Sequence, residues 1–132
     1  VTSHEVLAAS LTPNTDLIAT VFDARRGQVY AALHDARLNE LIAPFVATPE
    51  DAAARLSTAV GGARLRVAGS GAALLALSRQ PTEEKTLYAD PAALARRAAM
   101  RAPSAALPVP LYLRPPDAAP SAGSIFDGLQ PL

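Results

Sequence analysis

The segment DLIATVFDARRGQVYAALHD, residues 16–35, constrains this chain more than any other. Residues 17–22 and 28–33 are nearly unbroken apolar runs rich in β-forming residues, with Ala24, Arg25, Arg26 and Gly27 as the loop between them. Two such runs joined by a short Gly-containing loop form a hairpin. Leu17, Ala19 and Val21 of the first run face one side of a strand and Ile18, Thr20 and Phe22 the other, because side chains alternate. A strand apolar on both faces belongs inside a sheet that is covered on both sides. The expectation is therefore a helix/sheet/helix sandwich.

A third run, residues 41–46, extends the meander, with Pro44 best tolerated at a sheet edge. The period then changes. Thr48-Pro49-Glu50-Asp51 opens a helix with a hydroxyl cap, Pro in the first turn and acids at the positive end, Asp51 completing a capping box. Ala52, Leu56, Ala59 and Val60 form its stripe, and Gly61-Gly62 ends it. Residues 65–68 read as a short buried strand, followed by Gly69-Ser70-Gly71 and a helix over 72–78. Asp90-Pro91 starts another helix through Met100, with Leu94, Ala95 and Ala98 expected inward and Arg96 and Arg97 outward. Residues 109–113 look like a late strand. Upstream of the hairpin, residues 3–10 suit a short helix with Ser3 as cap, the stub of a longer one. The order β-β-β-α-β-α-α plus a late strand is an α/β plan of ribonuclease H-like type, with a mixed five-stranded sheet and helices on both faces.

At 132 residues, half of them hydrophobic, there is material for one core. Twelve basic and twelve acidic residues cancel, so no global field draws the chain to nucleic acid or anionic membrane. The absence of cysteine excludes a disulfide framework and a thiolate nucleophile. Eleven of the twelve basic residues are Arg, with Lys85 the exception, a composition associated with GC-rich bacterial genomes. No apolar run approaches the roughly 20 residues of a membrane span.

The residues bear on four kinds of chemistry. His4 and His34 stand thirty positions apart without an acid or second His at helical spacing, so no metal site is expected. Asp23 occupies the place of a first-strand nuclease carboxylate, but Leu65-Arg66-Val67-Ala68 supplies no partner for a metal pair. Gly69-Ser70-Gly71 at a strand end is a candidate phosphate cradle, with a tight strand-to-helix turn as the plainer reading. A triple of Ser70, His34 and Asp23 has no nucleophile-elbow pattern behind it.

DARRGQVY at 23–30, VAGSGA at 67–72 and PLYLRPPDA at 110–118 together resemble the TsaB (YeaZ) family. Members belong to the actin-like ATPase superfamily and have two ribonuclease H-like halves; the likeness covers the second half. VTSHEVLAA resembles the last helix of the first half, and DPAALARRAA a late helix of the second. The resemblance thus divides the chain into a helix stub at 1–12, the C-terminal ribonuclease H-like domain at 13–114 and a loose Pro-rich tail at 115–132. It implies a cytoplasmic, non-catalytic partner of the paralogue TsaD and the ATPase TsaE in making threonylcarbamoyladenosine in tRNA, which the chain would meet indirectly. The alternative is an actin-like nucleotide-binding or glycoprotease-type enzyme fragment. No cofactor is expected. An apolar face uncovered by loss of the first half would invite pairing of two copies.

Within this frame Asp23, Arg25, Gly27, Tyr30, Tyr112 and Arg114 read as a structural motif. Arg114 is the expected mate of Asp23, clamping the hairpin to the C-terminal segment, with Tyr30 and Tyr112 packing at the core rim. Arg25 and Arg26, extended by Arg64 and Arg66, could alternatively meet tRNA phosphates.

Overall fold

A computed structural model describes residues 1–77, 81–86, 88–107 and 109–115. The chain begins with α1 (Ser3–Ala9), forms the strands β1 (Leu17–Arg25), β2 (Gln28–His34) and β3 (Glu40–Ala47), and crosses through α2 (Pro49–Val60) to β4 (Leu65–Ala68). A 3-10 turn at Ala72–Leu74, β5 (Thr82–Glu83) and α3 (Pro91–Ala99) follow. The result is an α/β fold with a mixed five-stranded sheet in the order β3-β2-β1-β4-β5. The meander β1–β2–β3 is antiparallel, and β4 and β5 run parallel to β1 and to each other.

β1 lies at the centre because both its faces are apolar. Ala19 and Val21 join Val29, Ala31, Leu33 and Val67 beneath Ala52 and Leu56 of α2. Ile18 faces the other way, with Ala68, against Leu7, Ala8 and Leu11 of the α1 segment. Helices therefore cover both faces, as the double apolar stripe requires. α2 starts as its sequence dictates: the Thr48 hydroxyl accepts from the Asp51 amide at 3.2 Å. Its Arg55 guanidinium lies 4.2 Å over the Phe45 ring, tying α2 to the edge strand β3.

Several expectations are corrected. Thr2, not Ser3, caps α1, its hydroxyl accepting from the Glu5 amide at 3.1 Å. β1 extends to Arg25, leaving Arg26 and Gly27 as the turn. Arg26 and Gly27 have positive φ (54° and 69°), as a two-residue hairpin turn demands, and Arg25 (61°) lies at the register shift between Asp23 and Arg25. Ala59 is exposed rather than part of the buried stripe. The helix expected at 72–78 stops after Leu74, and Leu75 is extended. An extended backbone puts Leu75 and Leu77 both onto the core, so burial prevails over helical propensity; Ser78 lies outside the described residues.

The fifth strand is Thr82–Glu83, not residues 109–113, which form no strand. Pro110 carries no N–H for a ladder, and Val109, Leu111 and Tyr112 are 85%, 60% and 82% exposed. The tail expected over 115–132 lies outside the described residues beyond Pro115.

α3 is turned the other way from its apolar pattern. Leu94, Ala95 and Ala98, expected inward, are exposed, Ala93 is the buried residue, and Arg97 points inward while Arg96 stays outward. The cause is Glu5 of α1, 7% exposed, which accepts from Arg97 Nε at 2.9 Å and from Arg101 Nη2 at 2.6 Å. A buried carboxylate without cationic partners costs more than leaving one leucine half in water. Burial pushes the Glu5 carboxyl up, but the Arg97 hydrogen bond and both guanidinium charges outweigh it and hold it below the usual range.

Candidate functional site

The family-like residues converge at the turn end of the β1–β2 hairpin. Asp23 organises it. Its Oδ1 accepts from the Arg25 amide at 2.7 Å, closing the chain over the turn, and its Oδ2 stands 3.4 Å from Arg25 Nη1. The Arg25 side chain is 86% exposed. Keeping two arginines in left-handed backbone conformation costs on the order of 1 kcal/mol each, which these local bonds offset.

Among the described contacts, Arg114 reaches the hairpin at Ala24 and Gln28 rather than at the Asp23 carboxylate. Its Nη1 donates to the Ala24 carbonyl at 3.3 Å and to Gln28 Oε1 at 3.1 Å. The C-terminal segment is therefore clamped to the hairpin at backbone and amide, while Asp23 pairs with Arg25. Tyr30 lines an open cleft of about 690 Å³ with Phe22, Val1, Thr2, Tyr112 and Arg114. Tyr112 sits on that rim almost fully in water, rather than packed as expected.

Gly69-Ser70-Gly71 lies against β1 itself. A Cβ at Gly69 would stand 2.2 Å from the Val21 carbonyl oxygen, and one at Gly71 would stand 2.8 Å from the Phe22 carbonyl carbon. The Gly69 amide donates to Thr86 O and the Gly71 amide to Val21 O, both at 3.0 Å. Ser70 Oγ accepts from the Asp23 amide at 3.2 Å. Two of the three amides that would cradle a phosphate thus already serve the fold. The geometry is a tight turn that fastens the strand end to the hairpin.

Other sequence candidates do not meet. His34 is paired with Ile18 and Asp23 with Val29. Five strand positions separate them, roughly 17 Å, so Ser70, His34 and Asp23 form no triad. Arg66 is buried, its Nε 2.6 Å from Glu84 Oε1 and its Nη1 donating to Thr12 O at 2.7 Å. Arg64 pairs with Asp16 at 3.6 Å, at the opposite end of β1 from Arg25, so neither extends an arginine patch. Among the described residues no group of three His, Cys, Asp or Glu gathers as for a metal ion, and no helix is long and apolar enough to cross a membrane.

Both histidines belong to the core. His4 Nδ1 bonds Thr20 Oγ1 at 2.8 Å, and the His4 ring meets Phe22 edge-on at 4.9 Å. Among the described residues, His34 Nδ1 is buried without a partner. Burial lowers the His4 pKa to about 4, reinforced by His34 and partly offset by Thr20. Burial lowers His34 as well, against the charges of Glu40, Glu5 and Asp35. A lowered histidine is neutral in both states at high pH. Below pH 6.5 the unfolded chain binds a proton that the folded chain refuses until about pH 4. Denaturant titrations should therefore show stability falling across that window, by about 3 kcal/mol from His4. In His4→Gln the slope should flatten; an unchanged slope would remove His4 as its source.

The sequence signals missed two elements here: the Glu5–Arg97–Arg101 cluster and the Arg66–Glu84 pair. A lone acid on an otherwise apolar helix and arginines at i, i+4 were the available hints.

Taken together, these features define an α/β domain whose hairpin, glycine turn and C-terminal segment are bound to one another. No protein-family model and no curated protein matches the chain. Its fold is similar to the crystal structure of an uncharacterised protein with similarity to peptidase YeaZ from Pseudomonas aeruginosa, at a TM-score of 0.63 and 20% identity. The match covers 86% of this chain and 57% of that one, so this chain spans little more than half of that protein's length. The similarity establishes a YeaZ-like fold.

Proposed function

We propose that this chain is a ribonuclease H-like, non-catalytic domain of a TsaB-type subunit in the bacterial tRNA threonylcarbamoyladenosine machinery, supporting a catalytic TsaD paralogue together with the ATPase TsaE. The observation that carries the reading is the junction of DARRGQVY, GSG and LYLR. Asp23 binds Ser70 through its amide, Gly71 binds Val21, and Arg114 binds Ala24 and Gln28. Each of these bonds holds the fold together rather than presenting a reactive group. The YeaZ-like fold supports the same reading. Arg25, exposed at the tip, is the residue best suited to a phosphate of the tRNA that the assembly handles.

Two measurements test this. Depleting the gene in its host should remove most threonylcarbamoyladenosine from bulk tRNA, read by nucleoside mass spectrometry; an undiminished level overturns the proposal. Calorimetric titration of the chain with Mg-ATP should give no binding in the micromolar range. Binding there would instead favour the alternative, an actin-like nucleotide-binding enzyme fragment.

A further inference from the structure

α3 is fastened to α1 at both ends by polar contacts and buries little apolar surface. At its start the Asp90 amide donates to Ser10 Oγ at 2.8 Å, and the same hydroxyl donates to Val6 O at 2.8 Å. At its end Arg97 and Arg101 converge on the single carboxylate of Glu5. Between these fastenings Ala93 is the buried residue of the helix, while Leu94 and Met100 are 46% and 79% exposed. The guanidiniums remain within reach of water, their side chains 25% and 50% exposed. A helix held this way differs from the sheet and α2, whose contacts are apolar and buried.

We propose that α3 is an electrostatic strap over α1, a unit that lifts off while the sheet stays folded. The free energy of opening a segment follows the surface it buries and the bonds it breaks. Lifting α3 takes only Ala93 of its own side chains out of a buried position, and it returns Glu5, Arg97 and Arg101 to water, which compensates much of the lost pairing. Strong apolar packing would oppose release, and α3 lacks it. The released strap uncovers Glu5 and the outer side of α1, so a change of charge at this one carboxylate sets how often that face is open.

Amide hydrogen exchange on the intact chain tests the proposal. Residues 94–99 should exchange at least about tenfold faster than the central residues of β1. Raising salt from about 0.05 M to about 0.5 M should speed α3 several-fold and leave β1 unchanged, because only partly exposed ion pairs are screened strongly. Arg101→Gln, which keeps Arg97, should reproduce the effect of salt, and Glu5→Gln should exceed it. Leu94→Ser, on the outward side, should change nothing. Equal protection of α3 and β1 overturns the proposal. So does insensitivity of α3 to salt and to Arg101→Gln, or a loss of protection in β1 together with α3. Release of α3 by Leu94→Ser would show apolar docking and overturn it equally.

Discussion

Gly69→Ala should melt on the order of 10 °C below the parent chain. Gly69 has φ of +111°, a region essentially reserved for glycine, and an added Cβ would stand 2.2 Å from the Val21 carbonyl oxygen and 3.1 Å from Leu7 Cδ2. Neither neighbour can yield. Val21 is a fully buried residue of the central strand, and Leu7 is packed against the other face. Overpacking typically costs 1–3 kcal/mol and a left-handed alanine about as much again, so about 3 kcal/mol or more is expected. For a domain near this size that corresponds to the stated drop in melting temperature. Gly71→Ala should behave similarly, its Cβ falling 2.9 Å from the Asp23 amide nitrogen. Gly27→Asn is the control: nothing lies within 4 Å of its Cβ, and asparagine tolerates a φ of +69°. Thermal unfolding followed by circular dichroism reads all three. If Gly69→Ala melted with the parent, the loop could not be pressed against β1.

The second large effect concerns an arginine that the sequence offers as surface. The Arg66 side chain is 4% exposed and meets Glu84, 25% exposed, at 2.6 Å. Glu84→Ala would leave a buried guanidinium with Thr12 O as its remaining described partner, and should cost about 3 kcal/mol. Arg66→Met removes the charge but keeps the aliphatic bulk, and should cost roughly 1 kcal/mol by the same reasoning. The double variant Arg66→Met with Glu84→Leu should recover most of the loss. Urea unfolding midpoints provide the comparison; a Glu84→Ala variant more stable than Arg66→Met would contradict the assignment.

The sheet centre was legible because it rests on local alternation. A run apolar on both faces can only be an inner strand, and residues 17–22 were one. α2 was legible for the same reason, since Thr48, Pro49 and Asp51 act on their own neighbours. β5 was not: two residues carry no periodicity, and parallel pairing with β4 makes them a strand. The orientation of α3 is not legible, because a helical stripe shows which residues share a face but not that Glu5, some ninety positions away, meets it. At the candidate site the residues were identifiable but their couplings were not. Arg114 was placed on the hairpin, yet geometry gives it Ala24 and Gln28, and the carboxylate of Asp23 closes its own turn. The glycine turn had two readings in sequence. What separates them is the atom occupying each missing Cβ, a fact of three-dimensional approach.

The borders of the sheet have a consequence for colloidal behaviour. β3 carries Pro44 and pairs with β2 through two register shifts, between Ala31 and Leu33 and between Leu33 and His34. On the far side β5 presents two residues. Neither border gives an incoming strand more than a brief straight stretch of backbone to pair with. Among the described residues, both borders therefore disfavour native molecules adding edge to edge in a cross-β stack.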